Sequence, residues 1–363
     1  MTGHQRVDGH KPVRTALIGY GLAGSVFHAP LIGAVEGLEL SAVVVNNAQR
    51  QDAARRDYPQ TKLFASVDEL FNNASSFDLV VVATPNDTHA DLAEKAMQRG
   101  LAVVVDKPFA ISTAQAKHLI EIQKKTGAKL SVFQNRRWDC DFLTVQELID
   151  TGKVGTVTRL ESRFERYRPV PKPGSWRETT AVETGGGLLF DLGSHLIDQA
   201  MHLFGKPISV YAEMKTRRTG VLADDDTFIA LQFDNGICAH LWVSLLAKKP
   251  GPRFRLLGTA GAYEKYGMDP QEESLKNGLR PGDEQWGVEP AANAGTLSAT
   301  LDHLEFDGKI ASRRGSYEQY YVLMRDAVAN GAPVPVQPED ALKALTVMEA
   351  ARESATTREP IAV

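Results

Sequence analysis

Lys107 stands between Asp106 and Pro108, directly after the apolar run Ala102-Val103-Val104-Val105. Such a run reads as a strand buried on both faces, and a lysine at its end is costly to bury without a task. Its ammonium can stabilise negative charge that develops on a nearby oxygen. A surface lysine in a loop has the same local sequence. Asp191 and His195 stand four apart in Asp191-Leu-Gly-Ser-His-Leu-Ile-Asp198. On a helix they share a face, so the carboxylate orients the imidazole and raises its basicity. Such a pair can take a proton from a hydroxyl. A plain helix ion pair has the same spacing. His202 lies on nearly the same stripe and reads as structural.

Gly19-Tyr20-Gly21-Leu22-Ala23-Gly24 fits the pattern G-x-G-x-x-G. Glycines alone say little, but this turn follows a strand signal and opens a helix signal, the context that a dinucleotide site requires. Gly19 permits the tight turn, Gly21 lets the backbone approach a pyrophosphate, and Gly24 lets the helix pack on the strand. The N–H groups and dipole at the helix start favour phosphate. A Gly-rich turn of an unrelated α/β fold is the other reading. An NAD site carries an acid after the second strand, on the ribose 2′-hydroxyl. Here that strand runs into Asn46, Asn47 and Arg50, with no carboxylate. Two amides and a guanidinium suit a 2′-phosphate, so NADP is favoured and NAD remains possible. Arg50 also reads as an ordinary solvated residue at a helix start.

Asn135-Arg136-Arg137-Trp138-Asp139 follows the last strand of the first half. Polar and aromatic groups at such a junction suit a sugar-like ligand. Asn135, Arg136 and Trp138 are therefore candidate substrate contacts, with Tyr167, Arg168, Trp176 and Arg177 from further on. A basic surface loop is the competing reading for each.

The elements that must hold these groups come in two rhythms. Strand and helix signals alternate at first. Residues 15–18, 38–45, 79–83, 102–105 and 129–133 read as strands, and 25–35, 67–71, 89–99 and 112–126 as helices. Ser66 is a candidate N-cap and Gly100 a candidate C-cap. This alternation predicts a parallel, doubly wound sheet. A helix over 142–150 follows, then long strands at 156–167, 209–216, 227–233, 237–246 and 253–257. Leu160 and Phe164 share one face of the first, and Arg159, Glu161, Arg163 and Glu165 the other. Alternation of period two predicts a mostly antiparallel open sheet. Asp234-Asn-Gly236 is a hairpin signal. Residues 265–296 are rich in Gly, Pro and charge and read as a long surface excursion. Residues 317–330 and 338–356 read as closing helices. The chain is thus α/β: a flexible lead-in (1–13), a Rossmann dinucleotide domain (14–134) and an α+β domain (135–363).

Composition excludes several classes. The 363 residues carry a net charge of -4, which gives no basic footprint for nucleic acid or membrane. Two cysteines, Cys140 and Cys238, cannot make a disulfide framework or a Cys-rich metal site. No metal is expected. The polar start lacks a signal-peptide core, and no apolar stretch is long enough to span a bilayer. A cytoplasmic protein is the expectation.

Together these segments resemble the Gfo/Idh/MocA oxidoreductases, and among them the NADP-preferring scyllo-inositol dehydrogenases. The resemblance rests on Gly19-Tyr-Gly-Leu-Ala-Gly-Ser-Val-Phe-His-Ala-Pro-Leu31, Thr84-Pro-Asn-Asp-Thr-His89, Asp106-Lys-Pro108, Asn135-Arg-Arg-Trp-Asp139, Asp191-Leu-Gly-Ser-His-Leu-Ile-Asp198 and Lys265-Tyr-Gly-Met-Asp-Pro-Gln-Glu-Glu273. It covers nearly the whole chain after the lead-in. It implies Lys107, Asp191 and His195 as the catalytic set, and Thr84, Pro85, Asn86 and His89 as the segment passing the nicotinamide ribose. The family's Glu-Lys-Pro is Asp-Lys-Pro here, one methylene shorter. The resemblance also implies an open sheet used for oligomer contacts, hence a homodimer or homotetramer, with the charged face of 156–167 in that role. The function expected is hydride transfer between NADP and a secondary alcohol of a polyol or sugar, scyllo-inositol or a related inositol first. An aldose dehydrogenase, a nicotinamide-dependent glycosidase and an inactive NAD(P)-binding sensor are the alternatives.

Overall fold

The computed structural model describes residues 11–171, 180–181, 185–301 and 303–363. Six strands form the first sheet: β1 (Val13–Ile18), β2 (Leu38–Val44), β3 (Lys62–Phe64), β4 (Leu79–Val82), β5 (Ala102–Asp106) and β6 (Leu130–Phe133). They pair in parallel in the order β3-β2-β1-β4-β5-β6. That is the doubly wound dinucleotide order, with its switch point between β1 and β4. All of β4 and Ala102 to Val105 of β5 are buried, which is why these strands read as unbroken apolar runs. Ser66 caps its helix by accepting from the Glu69 N–H, as expected. The helix His89–Met97 stops sooner than expected, so Gly100, although left-handed at φ 76, is not its cap.

The second sheet has nine strands: β7 (Val157–Glu165), β8 (Ser209–Lys215), β9 (Asp226–Gln232), β10 (Cys238–Ser244), β11 (Phe254–Gly258), β12 (Gly261–Lys265), β13 (Gly295–Leu301), β14 (Leu304–Ile310) and β15 (Ile361–Ala362). Their order is β14-β13-β12-β11-β7-β10-β9-β8-β15. Only the β7–β10 pair is parallel. The Asp234-Asn-Gly236 hairpin forms between β9 and β10. On β7, Leu160 and Phe164 face the core. On the opposite face Arg163 stacks over Trp242 at 3.9 Å and pairs with Glu161 at 2.8 Å.

The surface excursion over 265–296 is corrected. It contains a helix, Gln271–Lys276, and places Gln271 and Trp286 in the core. It also leads into β13, which sequence reading passed over together with β3, β12, β14 and β15. The helix Pro338–Thr357 packs on β8, on the helix Ser194–Phe204 and on the helix Thr113–Thr126. Glu349 accepts from the Thr113 N–H and hydroxyl at 2.8 and 2.9 Å, so this helix ties the two sheets together. The helix Glu318–Asn330 returns to the first sheet, where Arg325 donates to the Glu36 carbonyl at 2.8 Å. No helix among the described residues is long and apolar enough to cross a membrane.

Candidate active site

The carboxyl ends of β1, β4 and β5 open on a cleft of about 670 Å³. Its walls include Gly19, Gly21, Leu22, Ala23, Asn46, Arg50, Thr84, Pro85, Asn86, Lys107 and Asp191. Gly19 has φ 99, and a Cβ there would lie 2.4 Å from the Ala83 carbonyl oxygen. A Cβ on Gly24 would lie 2.1 Å from the Gly19 carbonyl oxygen. Both glycines are therefore demanded by the fold itself. Gly21 differs. The nearest atom to a Cβ there is Arg50 Nη1 at 3.9 Å, so the protein leaves room and only a close-lying ligand needs the glycine. The helix that follows points its N-terminus at this space, where free N–H groups favour phosphate. These observations fit a dinucleotide.

They also separate two expected effects. Gly24→Ala is expected to cost about 1–3 kcal/mol of stability through overpacking against backbone, read by thermal melting. Gly21→Ala is expected to leave the melt unchanged and raise the cofactor Kd several-fold.

At the far end of the cleft, Asn46 and Arg50 lie past β2, and among the described residues no carboxylate joins them; Asp106 and Asp191, the carboxylates among the described lining residues, belong to the other end. Asn47 does not line the cleft. Its side chain caps the helix Ala48–Asp57, accepting from the Arg50 N–H at 3.1 Å. His89 is also placed elsewhere. It is buried, with Nδ1 2.8 Å from the Pro108 carbonyl and Nε2 2.9 Å from the Thr84 carbonyl. It clamps the turn after β4 to the turn after β5.

A second cavity of about 470 Å³ adjoins the cleft and shares Leu22, Ala23, Asp106, Lys107, Gly187 and Asp191 with it. Lys107 and His195 both line it, so the structure gathers the three candidate chemical residues at one junction. Their pairing differs from expectation. Asp191 meets Lys107: Nζ donates to the Asp191 carbonyl at 2.5 Å and to Oδ1 at 3.1 Å. A carboxylate gains more from an ammonium than from a neutral imidazole, so the expected Asp191–His195 dyad does not form. His195 is buried, and among the described residues its sealed Nδ1 has no partner. Burial first, then the cations Lys107, Arg136 and Arg253, push the imidazole well below its ordinary pKa. The expected rise in basicity is thus reversed.

Local sequence explains how Asp191 is presented. Gly187 has φ 97, and a Cβ there would lie 2.0 Å from Asp224 Oδ1. The Asp224 carboxylate accepts from the Leu189 N–H at 2.8 Å and the Thr227 hydroxyl at 2.7 Å. It anchors the wide helical turn Leu189–Gly193 that carries Asp191.

Asn135 and Arg136 line the second cavity. Arg136 donates to Glu272 at 2.8 Å, and although burial acts the other way, Arg136 and then Lys276 hold the Glu272 carboxyl down at about 2. Trp138 does not reach the cavity. It packs edge-on to Tyr320, and its carbonyl accepts from Gln271. Tyr167 is half exposed and sits beside Lys248 instead. Trp176 and Arg177 lie outside the described residues. His202 lines neither cavity and packs near Phe142. Arg137 is also structural, forming a buried two-pronged pair with Asp198 at 2.7 and 2.8 Å.

Sequence reasoning missed Arg166, Arg218, Asp224, Glu272, Lys276 and His28 as cavity residues. Ala223-Asp-Asp-Asp226 was an available signal, since consecutive acids are rarely buried without partners, and Asp224 and Asp225 both are buried. Among the described residues no group of three or more His, Cys, Asp or Glu is placed to hold a metal.

Comparison with known proteins agrees with this geometry. Residues 13–134 match the family model described as an oxidoreductase family NAD-binding Rossmann fold. Residues 146–363 match the C-terminal alpha/beta domain of the same oxidoreductase family. The oxidoreductase YdgJ of Escherichia coli is 38% identical over 347 residues, covering 95% of this chain and 97% of that protein. The scyllo-inositol 2-dehydrogenase (NADP(+)) IolW of Bacillus subtilis is 32% identical over 361 residues, covering 99% and 98%. The solved structure of the oxidoreductase yvaA from Bacillus subtilis superposes with a TM-score of 0.92 at 32% identity, over 97% of this chain and 99% of that one. This chain belongs to the Gfo/Idh/MocA family and is an NAD(P)-dependent dehydrogenase.

Proposed function

We propose that this dehydrogenase oxidises, reversibly, a secondary alcohol of a polyol or sugar ring with NADP, and that scyllo-inositol or a related inositol is its substrate. The observation that carries the reading is the junction of the two cavities, where Lys107, Asp191 and His195 converge. The NADP-dependent inositol dehydrogenase relative supports the substrate class.

The cleft residues Gly19, Gly21, Leu22, Ala23 and Arg50 hold the dinucleotide, and the bound nicotinamide supplies the hydride acceptor at its C4. The ring alcohol lies in the second cavity against Asn135 and Arg136. Lys107 aims its ammonium at the reacting oxygen and stabilises the alkoxide charge that develops there. Asp191 keeps that ammonium in place. His195 takes the hydroxyl proton through Nε2, the ring nitrogen that is not sealed. An imidazole held neutral by burial is already in the state a base requires.

The NADP preference rests on Asn46 and Arg50. Arg50→Ala is expected to raise KM for NADP by about fivefold, the worth of one exposed charged contact, and to leave KM for NAD unchanged. Equal changes for both cofactors would remove Arg50 from 2′-phosphate recognition. The substrate assignment is tested by screening purified protein with each cofactor against inositols, aldoses and glucosides. Cofactor reduction with an inositol ahead of aldoses supports it. Turnover of glucosides without net reduction would point to glycoside cleavage, and cofactor binding without turnover to a sensor.

A further inference from the structure

A second line of polar groups lies behind Lys107. His28, in the helix after the glycine turn, is fully buried. Its Nδ1 is 2.6 Å from the Tyr321 hydroxyl, and its Nε2 is 3.8 Å from Asp106 Oδ2. The other oxygen of that carboxylate, Oδ1, accepts from the Lys107 backbone N–H at 2.7 Å. Tyr321 is fully buried too, and among the described residues its hydroxyl has no hydrogen-bond partner but His28. Phe133 packs against the His28 ring at 4.3 Å and fixes its plane.

Two proton arrangements of the neutral ring are possible. If Nδ1 carries the proton, it donates to the tyrosine oxygen. The tyrosine O–H then has no acceptor, and an Nε2 lone pair faces a carboxylate. If Nε2 carries the proton, Tyr321 donates to Nδ1 and Nε2–H faces Asp106. Among the described residues Nε2 has no hydrogen-bond partner, 3.8 Å being too long for one. Each arrangement therefore leaves one buried donor without a bond, and only the second turns an N–H rather than a lone pair toward the carboxylate. A doubly protonated ring again orphans the tyrosine proton. The groups facing Asp106 are His28, Lys107 and His89, with Tyr320 and Tyr321 from the helix Glu318–Asn330.

We propose that His28 and Tyr321 are positioning residues for Lys107. Tyr321 locks the ring with its proton on Nε2, that N–H orients the Asp106 carboxylate, and Asp106 pins the backbone from which the lysine projects. This inference rests on the dehydrogenase reading of the site.

Nitrogen-15 NMR of histidine-labelled protein is the direct test, with the protonated Nε2 form expected for His28 and a mixed or reversed pattern in Tyr321→Phe. The same variant is expected to lower kcat about fivefold, the worth of one hydrogen bond, with KM for NADP unchanged and the acid limb of the pH profile displaced. His28→Gln, which keeps an amide N–H toward Asp106, is expected to retain more activity than His28→Leu. A protonated Nδ1 in the native enzyme, or equal losses in the Gln and Leu variants, overturns the proposal. If the native enzyme turns over no polyol, the polyol reading falls, and the NMR pattern alone decides whether the lock exists.

Discussion

His195→Ala is expected to lower kcat by about 10²–10⁴-fold, the range for loss of a positioned general base. KM for NADP is expected to stay near the native value, because His195 lines only the second cavity. The ring is buried, so a melt of the variant and a parallel His195→Gln separate lost chemistry from lost folding. The pH dependence gives an independent sign. A base works when deprotonated, and His195 is held well below its ordinary value by burial and by Lys107, Arg136 and Arg253. The polyol kcat/KM should therefore stay flat as pH falls through about 6.5, the ordinary histidine value, and bend only below it. A limb at or above the ordinary value would mean that another group is the base.

Lys107→Met is expected to cost about 10²–10³-fold in kcat, the range for removal of one donor that stabilises an oxyanion. Methionine keeps the unbranched shape and removes the charge. Asp191 loses its ammonium, but its side chain is 33% exposed, so water replaces much of the lost partner and the melt should move little. A variant that melts normally and loses rate assigns the loss to the reaction. Native kcat in a folded Lys107→Met protein would remove the ammonium from the mechanism.

How much of this was legible depended on the range of each signal. The Rossmann sheet was plain because β4 and β5 are buried on both faces and show it as valine runs. The glycine turn was plain because its glycines are local necessities, Gly19 against Ala83 and Gly24 against Gly19. β13 was not, because two of its three inward positions, Gly295 and Ala299, are too small to make the alternation around Leu297 stand out. β14 does alternate, with Leu304, Phe306 and Ile310 on one face and Glu305, Asp307 and Lys309 on the other, but that signal was passed over and the apolar face is left largely exposed. Within the site, residue types were readable and partners were not. The spacing of Asp191 and His195 suggested a dyad, but Lys107, brought in by a different domain, took the carboxylate. His89 and Trp138 sat in suggestive motifs yet serve as a clamp and a packing surface. Glu272 and Lys276 reach the cavity from the segment read as an excursion, which only tertiary packing could reveal.

In the proposed reaction this site moves hydride from a ring carbon to a nicotinamide while His195 takes the hydroxyl proton. The direct measurement uses an inositol deuterated at its ring carbons with NADP, the cofactor being analysed by mass spectrometry and NMR after turnover. One deuterium at nicotinamide C4 per ketone formed, with formation all but abolished in His195→Ala, is the predicted result. Product without label in the cofactor, or label lost to water, would contradict it.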